Sequence, residues 1–358
     1  MDMSAQLPQA WPVVALMLGA PAATIALGVL VVRHVRRTGR DAGRLQSGEL
    51  YRLLSARLDG RLQPAEVRRA AAGVSHDAFW DAIGALALTL RMRERRALAR
   101  TLEGSRHVAR ERRRLLASLP VMRRERAAYR LGLLPSPRTR RLLRRAMVQG
   151  PDLVSFAAAR ALARHRDLRS LRWLLEQPAS VTRQPIALLS GLLRAFGPRG
   201  RALLITALER GLADPRMVCA CVDALGMTRC RSARGSIEAR LASPHLEVRV
   251  AAARALGRLG MPEAIPALMP LLADDRWPVR AMTAQALGRL SASPAVDALA
   301  IVVTDSSWWV RHHAAYALAA IGGDGHDALC AIAARSPDRY AREMAREALD
   351  HGQARRRA

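Results

Sequence analysis

The side chains of this chain best suited to chemistry are its cysteines and histidines, and their spacing argues against catalysis. Cys219 and Cys221 lie two apart in a helical pattern, so their thiols point to different faces, a poor start for a zinc site. Cys221 takes the register of Ala252, and Cys330 that of Leu268, which predicts that both are core residues. With only Cys230 besides, the cysteines are too few and too clustered for a disulfide framework. His312 and His313 are adjacent and diverge on a helix. The run Gly322-Gly323-Asp324-Gly325-His326-Asp327 has metal-capable groups without calcium-loop spacing and reads as a helix connection. There is neither a Walker sequence nor a dinucleotide fingerprint. The expectation is no catalytic, cofactor-binding or metal-binding residue, no small-molecule substrate and no enzyme activity.

What the chain does carry is a repeat. Val248-Arg249, Val279-Arg280, Val310-Arg311 and Ala341-Arg342 recur every 31 residues. Ala255-Leu256-Gly257, Ala286-Leu287-Gly288 and Ala317-Leu318-Ala319 follow in step. Val248, Ala252, Ala255, Leu256 and Leu259 fall on one face of a helix. Gly260-Met261-Pro262 ends that helix, and Pro262 suits the first position of a second. The pattern predicts an all-α solenoid with its repeat core at Leu225, Val248, Leu256, Val279, Leu287, Val310 and Leu318. Leu131-Gly132, Leu162-Ala163, Phe196-Gly197 and Leu225-Gly226 extend the series backward, to roughly eight two-helix units.

Asp274-Asp275-Arg276-Trp277-Pro278-Val279-Arg280 and Asp305-Ser306-Ser307-Trp308-Trp309-Val310-Arg311 resemble the bacterial HEAT repeat of the phycobilin-lyase-like type. The resemblance implies presentation of a surface to a protein partner. It also implies that Arg249, Arg280, Arg311 and Arg342 form a structural ladder with acidic residues of adjacent turns, here Asp274 and Asp305. HEAT-type hydroxylases use His-Glu pairs to bind iron, and no His-Glu dipeptide occurs here. A lyase-type activity would need a pigment pocket that the sequence does not locate. Trp277 and Trp308 share the period and are expected to pack the turns between repeats. Trp309 is extra to the pattern, and with Arg311 and His312 it is the candidate protein-binding spot.

The formal charge is +28, and all 58 basic residues are arginine. So basic a chain must live near anions. Nineteen arginines against four carboxylates lie between Arg91 and Arg145, too great an imbalance for internal pairing. The expected surface for anionic lipid or an acidic partner comprises Arg110, Arg112, Arg113, Arg114, Arg123, Arg124, Arg140, Arg141, Arg144 and Arg145, with Arg33, Arg36 and Arg37 nearer the N-terminus. Nucleic acid is the alternative anion, disfavoured because only Tyr129 is at hand to stack on bases.

Residues 13–32 carry no charge, which matches the hydrocarbon thickness of a bilayer. Basic residues follow at once, so the positive-inside rule places the N-terminus outside and the rest in the cytoplasm. The expected order is a tail (1–12), a transmembrane helix (13–32), a basic juxtamembrane linker (33–48), a helical cap or adaptor (49–119), the HEAT solenoid (120–350) and a basic tail (351–358). Within the cap, helices are expected to end near Asp59-Gly60, to start at Pro64 and to be capped by Ser75. This predicts a single-pass protein of a bacterial inner membrane that scaffolds a membrane-associated partner, on the analogy of accessory subunits of polysaccharide synthesis or export. A membrane-tethered nucleic-acid binder is the rival reading, and a lyase-type enzyme a third.

Overall fold

The computed structural model describes residues 42–177, 181 and 183–357. The expected span 13–32, Arg33, Arg36 and Arg37 lie outside them. Among the described residues there is no strand, and no helix is long and apolar enough to cross a membrane.

The chain forms two compact units, one up to Ala117 with Leu133–Thr139 and the other Ser118–Gly132 with Arg140 onward. In the first, residues 42–58 are helical, so the last part of the expected linker is helix. That helix ends at Asp59 and Gly60, whose φ of 81° suits a residue without Cβ. Pro64 opens the helix Pro64–Gly73, where its missing N–H costs nothing. Ser75 caps His76–Thr89 by accepting from the Ala78 amide. Helices Met92–Leu102 and Arg106–Leu116 complete the set, around a core that includes Leu54, Phe79, Ile83, Leu102 and Leu115. The segment Leu133–Thr139 belongs here because Arg112 grips it. The Arg112 guanidinium donates to Thr139 Oγ1 at 3.0 and 3.1 Å and to Ser136 Oγ at 3.1 Å.

The second unit is a stack of helix pairs. Helices Pro215–Met227, Leu246–Leu259, Trp277–Arg289 and Trp308–Ile321 are successive neighbours at equivalent places in their repeats. Val248 and the other six repeat-core residues are at most 1% exposed. Each first helix approaches the next through a glycine. A Cβ on Gly226 would lie 2.7 Å from the Ala255 Cβ; on Gly257 or Gly288 it would meet the Ala286 or Ala317 backbone at 2.8 or 2.7 Å. Ala-Leu-Gly thus recurs because alanine and glycine set the spacing while leucine fills the core.

The second helices are less regular than the periodicity suggests. Residues 262–273 break into a 3₁₀ turn, a four-residue helix and another 3₁₀ turn. The opening 3₁₀ turn recurs at Arg231–Ala233 and Ser293–Ala295, whereas the second break falls at Pro270, which cannot donate an i→i−4 bond. The last repeat differs again, because Asp324–Arg335 is α-helical from its first residue, where earlier repeats begin with a 3₁₀ turn. Turning about 100° rather than 120° per residue shifts its face. Leu329 is therefore buried, and Cys330, expected in the core, is exposed.

Candidate protein-binding surface

The recurring arginines begin the site. Arg249 donates through Nε and Nη2 to the Asp274 carboxylate at 2.9 and 3.1 Å, and Arg280 to Asp305 at 2.7 and 2.9 Å. Each Nη1 also reaches back six residues to a carbonyl. Arg249 bonds Ser243, Arg280 bonds Asp274, Arg311 bonds Asp305 and Arg342 bonds Ser336, at 2.6 to 2.9 Å. The carboxylates also cap the following turns, accepting from the Arg276 and Ser307 amides. Burial alone would raise the pKa of Asp274 and Asp305, but these hydrogen bonds and the nearby guanidinium charges hold both below the ordinary value.

The ladder stops at Arg311. Twenty-five residues on, where Arg249 and Arg280 find aspartate, the register of Arg311 holds Ser336. Its Nε is buried and has no hydrogen-bond partner. Its guanidinium lies 5.2 Å from the centre of the Tyr340 ring, itself 61% exposed. The same helix carries an aromatic group. Trp308 meets Trp309 edge-on at 4.9 Å and stacks on His312 at 4.9 Å, and His312 lies 4.2 Å from Tyr316. His312 Nδ1 is also buried without a partner. Trp309 is 53% exposed. Trp277 and Trp308, expected to pack the turns, are each 46% exposed and belong largely to the surface. Position explains this: both open the first turn of their helices, with Val279 and Val310 two residues on supplying the buried contact.

The arginine-rich segment does not present all its charge. Arg112 is 7% exposed and pairs with Glu103 at 2.6 Å, so it is a structural clamp and not a surface group. Arg144 holds Asp167 in a bidentate pair at 2.8 and 3.1 Å. Burial alone would raise the Asp167 pKa, but Arg144 and Ser170 hold it below the ordinary value. Arg114 pairs with buried Glu111 at 3.0 Å, Arg124 and Arg140 are half-buried, and Arg145 bonds Gln149 at 2.9 Å. Arg110, Arg113, Arg123 and Arg141 are exposed.

Two polar clusters escaped the sequence reading. Asp223 receives Arg254 at 3.1 Å and Arg258 at 3.3 Å, away from the periodic ladder. His76, His107 and Glu111 form a hydrogen-bonded chain in the first unit. Its signal was present, since His76 and His107 are themselves 31 residues apart, one directly after the capping Ser75 and the other two residues after the capping Ser105. Buried Cys219, with Asp223 and Glu247 nearby, has its thiol pKa pushed up to about 11, and full burial raises that of Cys221 further. Neither is poised as a nucleophile. No group of three or more metal-ligating side chains occurs among the described residues.

Stacked helix pairs, a glycine–alanine contact ladder and an Arg–Asp ladder define an α-solenoid, a helical scaffold suited to protein binding. The family model of HEAT repeats matches residues 187–287 and 270–350, and this part of the chain is built of HEAT repeats. No curated protein sequence matches the chain. Among solved structures, human deoxyhypusine hydroxylase in complex with glycerol is similar at 23% identity and a TM-score of 0.30, over 69% of this chain and 96% of that one. The complex of CpcE and CpcF of phycocyanin lyase from Nostoc is similar at 20% identity and a TM-score of 0.30, over 68% and 94%. An engineered protein is similar at 18% identity and a TM-score of 0.38, over 88% and 94%.

Proposed function

We propose that this chain is a non-catalytic scaffold whose last repeats hold an acidic segment of a protein partner at Arg311, with Trp308, Trp309 and His312 of the same helix adding contact surface. The observation that carries the reading is the incomplete rung. Arg311 keeps the carbonyl contact of its counterparts, lacks their carboxylate, and leaves Nε buried and unpaired. An unpaired buried donor costs about 1–3 kcal/mol, which a carboxylate from a partner would recover. Exposed tryptophan beside arginine is the composition of binding hot spots. The uncharged span 13–32 anchors this scaffold in a bacterial inner membrane, with the repeats in the cytoplasm, which makes the partner a membrane-associated protein such as a component of polysaccharide synthesis or export.

Affinity capture of the full chain from detergent-solubilised membranes tests both parts. A partner should co-purify with the wild-type chain and be lost with either Trp309→Ala or Arg311→Gln. An identical set of captured proteins from all three would overturn the docking reading. Release of the chain from membranes by alkaline carbonate would overturn the anchor.

A further inference from the structure

In the first unit, three cations surround a small cavity without an acid to balance them. The cavity holds about 350 Å³ and is lined by His76, Arg106, His107, Arg110 and Arg113. Arg106, Arg110 and Arg113 fall at i, i+4 and i+7 of the helix Arg106–Leu116, which puts all three on one face. All three are exposed; Arg106 makes a 3.5 Å contact with the Val74 carbonyl. Arg110 and Arg113 have no ion-pair partner among the described residues. Like charges held together cost stability unless an anion joins them.

The floor is fixed by a hydrogen-bond chain. His107 Nε2 donates to the Ala71 carbonyl at 3.0 Å, since a carbonyl can only accept. Burial first, then the charges of His76, Arg106 and Arg110, lowers the pKa of His107 and keeps it neutral. Its free Nδ1 therefore accepts from His76 Nδ1 at 3.2 Å, and His76 Nε2 lies 2.5 Å from a Glu111 carboxylate oxygen. Arg114 donates to the same Glu111 oxygen. Glu111 thus bonds His76 and Arg114, while Arg110 and Arg113 form no ion pair among the described residues. Two helices also begin here, at His76 and at Arg106, and their positive ends add to the field.

We propose that this cavity binds the terminal phosphoryl group of a phosphomonoester. Guanidinium forks match phosphate oxygens, and a doubly charged anion suits three unpaired cations. A volume near the lower end for ligand sites fits a headgroup-sized anion and excludes a duplex. The site stands apart from Arg311 and does not depend on the docking reading.

The test is titration of the full chain, in nonionic detergent, with inorganic phosphate by calorimetry at low salt. Saturable binding is expected, weakened about tenfold or more per arginine in Arg110→Gln/Arg113→Gln, because hydrogen bonds to charged groups contribute about 1.5–3 kcal/mol each. Both positions are exposed, so folding is not at stake. Arg123→Gln/Arg126→Gln, an equal charge change elsewhere, should leave binding unchanged. Micelles of the same detergent doped with phosphatidic acid then separate the sources. If they displace phosphate, the ligand is a lipid headgroup; if they do not, it is a soluble phosphomonoester. The proposal is overturned if phosphate does not bind, or if both double variants weaken it equally.

Discussion

Arg280 and Asp305 meet through two parallel hydrogen bonds, at 2.7 and 2.9 Å, across a turn that separates one repeat from the next. The pair does three things at once. It joins adjacent helix pairs, fixes the turn by capping the Ser307 amide, and consumes an arginine that would otherwise look like a ligand-binding group. Both side chains are largely shielded, at 16% and 11% exposure, so the pair is worth more than a surface ion pair. Asp305→Ala should cost about 1–3 kcal/mol in thermal or denaturant unfolding. Asp274→Ala should do the same, whereas Asp275→Ala, exposed and next door, should stay within about 0.5 kcal/mol. Folded Asp274 and Asp305 are more acidic than the ordinary 3.8, so the unfolded chain takes up protons first as pH falls. Their contribution is whole above about pH 4 and is lost as pH drops through the lower folded values. A variant with both changed to Asn should lose less stability over that acid range than the wild type. Equal losses would mean the pairs do not stabilise the fold.

The glycines give two substitutions of the same chemistry and opposite sign. Gly257 faces the backbone of the next helix, and a methyl there would sit 2.8 Å from Ala286 Cα. Gly257→Ala should destabilise by about 1–3 kcal/mol despite the better helix propensity of alanine. Gly84, inside His76–Thr89, has nothing within 4 Å of the same methyl. Gly84→Ala should stabilise by about 0.5–1 kcal/mol. Chemical denaturation of the two variants decides it, and a stabilised Gly257→Ala would show that the helices do not approach this closely at Gly257.

These contrasts mark what a sequence can and cannot reveal here. The period of 31 exposes the stacked helices, the core at Leu256 and Leu287, and the arginine ladder, because each repeat must present the same face to its neighbours. A break in the period is legible only in part. That Ser336 replaces aspartate can be read directly, but that Arg311 Nε is left buried and unpaired is visible only in the folded structure. Arg112 and Arg113 look alike in a run of arginines, yet one is buried among Ser136, Thr139 and Glu103 and the other is exposed. Helical phase separates them, and phase is unreadable where the apolar pattern is thin. The slip that exposes Cys330 depends on whether three residues wind as 3₁₀ or α, a difference smaller than any sequence signal.

Burial of His107 gives the first unit its own pH response. Its pKa lies below the ordinary 6.5, chiefly because burial disfavours the charged ring, and the same holds for His313 in the second unit. Above pH 6.5 both states are neutral and the stability is fully present. As pH falls the unfolded chain binds the proton first, so stability is lost down to the folded pKa. Thermal unfolding of the full chain should therefore weaken between pH 7.5 and 5. His107→Gln keeps a donor for the Ala71 carbonyl and should flatten that slope without abolishing it, since His313 remains. An unchanged slope would count against a neutral, buried His107.

The missing rung can be rebuilt. Ser336 stands in the last repeat where Asp274 and Asp305 stand in the two before it. Its hydroxyl accepts from the Asp338 amide as those carboxylates accept from the Arg276 and Ser307 amides. Its carbonyl takes Arg342 as theirs take Arg280 and Arg311. Ser336→Asp should therefore place a carboxylate against Arg311 Nε without moving the turn. Satisfying a buried donor and closing a bidentate pair should raise stability by about 1–3 kcal/mol. Function should move the other way, because a rung completed from within has no vacancy for a partner's carboxylate. The expected outcome is a higher unfolding midpoint together with loss of the protein captured by the wild-type chain. Stability gained with capture intact would show that Arg311 is not the point of docking, and would leave Trp308 and Trp309 to hold the partner by burial alone.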